Sequence, residues 1–101
     1  MKTKVKVQPA PKKSHRTVEV ELHHPSAKEV LLAGSFNRWK PRATPMQSVG
    51  NGWWKIELSL ERGRYEYRYV IDGRWVSDPR APEQVPNPHG SFNSVLALHE
   101  D

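Results

Sequence analysis

The chain has 101 residues with nine prolines, six glycines and no cysteine, which suffices for one domain and excludes disulfides and cysteine-ligated metal sites. Its formal net charge is +5, from 16 basic and 11 acidic residues, yet six basic residues fall within the first 16 positions, where no acidic residue occurs. The rest of the chain carries 10 basic and 11 acidic residues, so nucleic acid is not an expected partner. This distribution predicts a basic flexible tail over residues 1–15 and one folded domain over residues 16–101.

No apolar run reaches the length of a membrane span, and the lysine-rich start lacks the apolar stretch of a secretory signal. We therefore expect a cytoplasmic protein that has no contact with membranes.

Short segments with alternating apolar and polar residues follow, and helical periodicity is nearly absent. They predict strands near residues 18–23, 29–33, 53–60, 64–71 and 91–98. Asn51-Gly52 and Asp72-Gly73 fit two-residue hairpin turns, whose central residues need positive φ. Polar, proline-containing loops are predicted over residues 35–48 and 78–88. Six or so short strands separated by such turns are typical of an all-β, immunoglobulin-like antiparallel β-sandwich.

The Asp72-Gly73 turn also predicts the direction of Trp75. A two-residue turn places Val70 opposite Trp75, on the side away from the apolar tyrosine row of the preceding strand. Trp75 should then lie on the outer face beside Arg68, and an exposed indole usually marks a binding surface. A register shift of one residue would instead turn Trp75 into the core.

The other tryptophans lie in three different settings. Trp54 is in phase with Ile56 and Leu58 and is predicted to be in the core, so its neighbour Trp53 faces outward or joins the turn. Trp39 lies in a polar loop without a strand pattern. It is either a plug packed over the end of the sandwich or a second exposed indole for binding.

The sequence contains no catalytic or metal-binding motif. The acidic residues mostly alternate along exposed strand faces or lie in turns, whereas glycoside hydrolysis needs two carboxylates across a cleft. The adjacent His23 and His24 point to opposite sides of a strand and do not share a metal, and no cofactor is expected. Exposed indoles with arginine, asparagine and serine neighbours suit sugar rings, whose C–H faces stack on aromatics while their hydroxyls form hydrogen bonds.

Three motifs carry a family resemblance: LAGSFNRW at residues 32–39, YRYVIDGRW at residues 67–75 with Asp78-Pro79 after it, and GSFNSV at residues 90–95. In this order and spacing, over about residues 16–98, they resemble carbohydrate-binding module family 48. That family includes the glycogen-binding module of AMP-activated protein kinase β subunits and the early-set domain of isoamylases and branching enzymes. The resemblance implies an early-set β-sandwich that binds α-1,4-linked glucans such as glycogen, starch or maltooligosaccharides.

The resemblance also implies the roles of individual residues. Trp39 and Trp75 match the two residues that stack on glucose rings. Arg68 stands where the kinase subunits carry a lysine and would bond sugar hydroxyls. Asn93 matches an asparagine that hydrogen-bonds glucose, and Ser91 takes the place of a threonine.

The loop over residues 82–90 departs from the kinase modules because it is one residue longer, and His89 replaces a leucine that projects towards the glucan. The expected protein is a non-catalytic module, either a targeting subunit that acts in trans with a glycogen-metabolism enzyme or a kinase, or a stand-alone storage-granule protein. One alternative is a protein-interaction module that docks such a partner, and a more distant one is a polyanion binder that uses residues 2–16.

Overall fold

The computed structural model describes residues 1–8 and 15–98, and within these ranges the chain forms nine strands and two short 3₁₀ helices. The strands are β1 (Lys2–Val7), β2 (His15–His23), β3 (Val30–Gly34), β4 (Gln47–Gly50), β5 (Trp53–Glu61), β6 (Gly63–Ile71), β7 (Arg74–Val76), β8 (Gln84–Pro86) and β9 (Phe92–Leu98). The 3₁₀ helices, Ser35–Asn37 and Pro41–Ala43, lie between β3 and β4. Neither of these helices is long and apolar enough to cross a membrane.

The strands form two antiparallel sheets packed around a common core. The first sheet has the order β1-β2-β5-β4. The second has the order β3-β6-β9-β8, and β7 pairs with the end of β6. The predicted fold class, an all-β antiparallel sandwich of the immunoglobulin-like kind, is confirmed.

Both sheets contribute apolar side chains to the core, because successive residues of a strand point to opposite faces. In the first sheet, β2 turns Val18, Val20 and Leu22 inward, and in the second, β6 turns Tyr67 and Tyr69 inward; all five are buried. Each such side chain removed from water contributes about 1.5–3 kcal/mol, which is the main stabilising term of the sandwich. The residues between them point outward, so the apolar periodicity of the sequence predicts the inner faces correctly.

The strand β3 is buried along its whole length, as its compact apolar sequence predicts. Its free edge is paired with the segment that follows it: Leu31 forms a β-bridge with Pro45, and the Met46 amide donates to the Val30 carbonyl at 2.8 Å. The end of the predicted loop therefore runs along the edge of the second sheet.

The start of the chain differs from the predicted flexible tail. Lys2–Val7 form β1, which pairs with β2 from Lys2 opposite His23 to Val7 opposite Val18. Lysines alternate here with threonine and valine, which is a strand pattern that the basic composition obscured. Residues 9–14 of the predicted tail lie outside the described residues.

The loop predicted over residues 78–88 contains the three-residue strand β8, in which Pro86 lies opposite Phe92. The strand is at the edge of the second sheet, next to β9 alone. Because an edge strand bonds on one side only, it tolerates the missing N–H of proline that a central strand does not.

The buried carboxylate of Asp78 joins the two sheets. It is 1% exposed and accepts hydrogen bonds from the hydroxyls of Thr3 on β1, of Tyr67 at 2.6 Å and of Tyr69 at 3.4 Å, and from the Arg80 amide at 3.0 Å. Burial, with the neighbouring carboxylate, raises the pKa of both tyrosines well above the ordinary value of 10.0, so they remain hydroxyl donors. Asp78 therefore fixes β1 and the loop after β7 to the core.

Asp78→Ala should lower the free energy of unfolding by about 3 kcal/mol, because it leaves buried hydroxyls without an acceptor. Urea denaturation measures the change. The control is Glu57→Ala on the exposed face of β5, which should change stability by less than about 0.5 kcal/mol. Equal stability of the two variants would contradict the role given to Asp78.

Asp72 fixes the turn between β6 and β7 to the start of β3. Its Oδ1 accepts the backbone N–H groups of Glu29 at 2.8 Å and of Lys28 at 2.9 Å, while its own N–H donates to the Glu29 carbonyl at 3.0 Å. The bonds from Glu29 and Lys28 hold the pKa of Asp72 below its ordinary value of 3.8.

A carboxylate with a lowered pKa in the folded state stabilises the fold above its unfolded pKa, and the contribution is lost as pH falls through the folded pKa. The free energy of unfolding should therefore fall between about pH 5 and about pH 2.5 less steeply in Asp72→Asn than in the wild type. Urea denaturation across this range checks the slope. Identical slopes in the two proteins would show that the Asp72 charge contributes nothing.

Candidate functional site

Trp75 lies on the outer face of the second sheet, beside Arg68. Asp72 and Gly73 form the turn with φ of 50° and 84°, and Val70 lies opposite Trp75. The indole is 43% exposed, the guanidinium carbon of Arg68 lies 5.9 Å from its ring centroid, and Arg68 Nη2 donates to the Trp75 carbonyl at 3.0 Å. The predicted outward direction of Trp75 is confirmed, and a cation–π contact with Arg68 holds the ring.

Trp39 is placed by the loop after β3, which the side chain of Asn37 organises. Asn37 Oδ1 accepts the Gly34 amide at 3.0 Å, and its Nδ2 donates to the Leu32 carbonyl at 2.9 Å and to Thr44 Oγ1 at 3.0 Å. The Trp39 amide donates to the Gly34 carbonyl at 2.9 Å, and this hydrogen bond closes the turn. The φ angle of Trp39 is 59°. The half-buried indole of Trp39 then lines the same groove as Trp75.

The two indoles line a groove of about 670 Å³ over β6 and β9, within the size range of ligand sites. Its lining residues are Ser35, Trp39, Glu66, Arg68, Trp75, Asn87, Pro88, His89 and Asn93. Five of the six residues singled out in the sequence are therefore brought together. The sixth, Ser91, is adjacent, because its hydroxyl accepts a hydrogen bond from Arg68 Nη2 at 3.3 Å.

One hydrogen-bond donor of Arg68 is left unsatisfied by the described residues. Its Nε is buried and has no hydrogen-bond partner in the described part of the chain, although Nη2 is bonded twice. A buried donor without an acceptor costs about 1–3 kcal/mol.

A chain of side-chain amides forms the other wall of the groove. Asn87 Oδ1 accepts the amides of His89 at 2.9 Å and of Ser91 at 3.1 Å, so its Nδ2 faces Asn93 Oδ1, at 3.1 Å. Asn93 Nδ2 then donates to Glu66 Oε1 at 3.0 Å. Because a carboxylate only accepts, these bonds fix the orientation of both amides.

Glu66 and Asn87 are groove residues that the sequence patterns did not single out. Glu66 belongs to the alternating charged face of β6, where a solvated glutamate is the ordinary expectation, and Asn87 lies in a proline-containing loop. A signal was present for Glu66: it shares its strand face with Arg68, and it pairs with Val95, two residues from Asn93.

The remaining two tryptophans, Trp53 and Trp54, make packing contacts within the first sheet and the core. Trp53 packs against His23 on the outer face of the first sheet, with ring centroids 4.9 Å apart. Trp54 packs against the core, and its indole N–H donates to the His24 carbonyl at 3.4 Å. Neither lines the groove, which leaves Trp39 and Trp75 as its aromatic pair.

The titratable groups in the described part of the chain do not form a metal site. Among residues 1–8 and 15–98, no three histidine, aspartate or glutamate side chains cluster closely enough to hold an ion. The groove offers aromatic stacking from its two indoles and hydrogen bonds from its polar side chains.

A β-sandwich with two indoles and several fixed polar groups along one open groove has the architecture of a carbohydrate-binding module. The family model described as the glycogen recognition site of AMP-activated protein kinase matches residues 16–101. The chain belongs to this family, and the resemblance noted in its sequence is confirmed.

Curated relatives include two plant proteins and kinase subunits. The chain is 42% identical over 73 residues to Protein PTST homolog 2, chloroplastic, of Arabidopsis thaliana, and 39% identical over 83 residues to Protein FLOURY ENDOSPERM 6, chloroplastic, of Oryza sativa subsp. japonica. It is 36% identical over 71 residues to 5'-AMP-activated protein kinase subunit beta-1 of Sus scrofa. These matches cover 72%, 82% and 70% of this chain but only 13%, 15% and 55% of the three relatives.

Asn87→Ala should free the loop over residues 87–91 without unfolding the sandwich. The amides of His89 and Ser91 lose their acceptor, so their hydrogen exchange should accelerate about fivefold, corresponding to roughly 1 kcal/mol for a hydrogen bond. Exchange detected by NMR measures this, with core amides of β2 as the internal control. Unchanged rates at both loop amides would contradict the organising role of Asn87.

Proposed function

We propose that this chain is a non-catalytic module that binds α-1,4-linked glucan, such as glycogen, starch or a maltooligosaccharide, in the groove between Trp39 and Trp75. The observation that carries the proposal is the meeting of these two distant indoles in one groove, in a chain of the glycogen-recognition family. Each indole would stack on the C–H face of a glucose ring.

The polar neighbours would supply the directional contacts. Arg68 lines the groove with its guanidinium, Asn93 presents the remaining donor of its oriented amide, and the Ser91 hydroxyl lies within reach of the same arginine. His89, exposed on the loop that borders the groove, would make the loop contact with the glucan.

The expected affinity is modest. Removing roughly 100 Å² of indole from water contributes about 2.5 kcal/mol per tryptophan at ~25 cal/mol/Å². Two such contacts, less the cost of ordering a flexible glucan, give a Kd of micromolar to millimolar order. This suits a polymer that repeats its epitope many times.

The proposal that the module is non-catalytic rests on the number of carboxylates in the groove. Among the described residues lining the groove, Glu66 is the one acid. Glycoside hydrolysis uses two carboxylates facing each other across the scissile bond, so a single one provides no acid–base or nucleophile pair.

Glucan binding would bring an enzyme to its polymer. One relative is by name a protein kinase subunit, and we propose that this chain likewise acts in trans with a kinase or a glycogen-metabolism enzyme. The proposed compartment is the cytoplasm. Because the plant relatives are named as chloroplastic, a fluorescent fusion in the native cells is the appropriate test.

Trp75→Ala should weaken glucan binding roughly seventyfold, which corresponds to the loss of about 2.5 kcal/mol of stacking. Calorimetry with β-cyclodextrin and electrophoresis in gels containing glycogen measure this. The matched control is Trp53→Ala, which removes an indole from the other sheet and should leave binding unchanged.

Absence of heat and of retardation for the wild type would refute glucan binding. If the wild type binds and a folded Trp75→Ala variant binds equally well, the assignment of Trp75 fails while the function stands. An equal loss in Trp53→Ala would place the site on the first sheet.

A further inference from the structure

The side chain of Glu66 lies in the floor of the groove, half-buried, on the same face of β6 as Arg68. Most glutamates on strand faces of this protein have a cationic partner or are open to water. Glu19 on β2 pairs with Lys55, and Glu83, just before β8, pairs with Arg64. Glu66 instead has a neutral amide as its hydrogen-bond partner, and its interaction with the Arg64 guanidinium is electrostatic only.

The two carboxylate oxygens of Glu66 are used unequally. Oε1 accepts the hydrogen bond from Asn93 Nδ2 at 3.0 Å, whereas no described residue donates a hydrogen bond to Oε2. The backbone amide of Glu66 is held by Ser35 Oγ at 3.2 Å, which fixes the strand beside the Trp39 loop. One anionic oxygen is thus left for a ligand on a well-supported strand.

The charges and donors around the groove indicate what this oxygen would bind. The Arg68 guanidinium and the spare N–H of Asn93 are donors, and donors satisfy only the oxygen lone pairs of a polyhydroxyl ligand. Each sugar hydroxyl also carries a proton that needs an acceptor. Glu66 Oε2 is the charged acceptor in this set, and hydrogen bonds to a carboxylate are roughly twice as strong as neutral ones.

We propose that Glu66 is a direct glucan ligand, whose Oε2 accepts hydrogen bonds from the hydroxyls of a glucose unit held between Trp39 and Trp75. The inference rests on the proposed glucan binding and adds to it a charged acceptor that selects neutral polyhydroxyl ligands. Oε1 meanwhile orients the Asn93 amide, so one side chain both contacts the sugar and positions a second contact.

Two substitutions separate these roles. In Glu66→Gln, the amide oxygen still accepts from Asn93, but an N–H₂ donor replaces the Oε2 acceptor. In Glu66→Ala, both bonds are lost. The matched control is Glu57→Gln, an exposed glutamate on the first sheet, away from the groove.

Calorimetry measures the affinity of the wild type and the three variants for maltoheptaose, after thermal unfolding has shown that each protein is folded. Glu66→Gln should bind about tenfold more weakly than the wild type, as expected for the loss of a charge-assisted hydrogen bond. Glu66→Ala should bind at least as weakly, and Glu57→Gln should match the wild type.

The results distinguish the alternatives. Wild-type affinity in Glu66→Gln with a loss in Glu66→Ala would mean that Glu66 only positions Asn93, and would overturn direct contact. Wild-type affinity in both variants would overturn any role in binding. If the wild type itself does not bind maltoheptaose, the proposed function fails and this inference fails with it.

A measurement on the wild type decides the matter if Glu66→Gln does not fold. The carboxyl carbon resonance of Glu66 should shift on titration with maltoheptaose, while that of Glu57 stays in place. A stationary Glu66 resonance at saturating sugar would overturn the proposal.

Discussion

The alternation of side chains along β6 is the constraint on which both the sandwich and its groove depend. Successive residues point to opposite faces, so Tyr67 and Tyr69 enter the core while Glu66 and Arg68 line the groove. A shift of one residue would exchange the two rows and bury charges in the core. The backbone pairing that stabilises the fold therefore also sets the floor of the site, and neither changes without the other.

The walls of the groove depend on a different device, asparagine side chains that bond to the backbone of loops. Asn37 holds the loop that carries Trp39, and Asn87 holds the loop that carries His89. An amide suits this task because it offers a donor and an acceptor on one short side chain. The groove therefore combines a rigid strand floor, including the Trp75 hairpin, with two short loops that are fixed at their bases.

Strand phase and turn chemistry made most of the fold predictable. The apolar rows of β2 and β6 and the Asp72–Gly73 turn are local patterns that physical rules translate directly into faces and register. The failures came where composition dominated the interpretation: the lysines of β1 suggested a tail, and the prolines around β8 suggested a loop. Edge strands tolerate both residue types, since only one side is hydrogen-bonded.

The sequence by itself determined the sandwich, its inner faces and the outward direction of Trp75, because these follow from period-two alternation and from a turn of known length. Tertiary structure alone decided that Trp39 meets Trp75, that Asn93 bonds to Glu66, and that the carboxylate of Asp78 fixes β1 to the core. These contacts join residues far apart in the chain, and no local pattern encodes the distance between two such side chains. Their geometry exists only once both sheets have paired and packed.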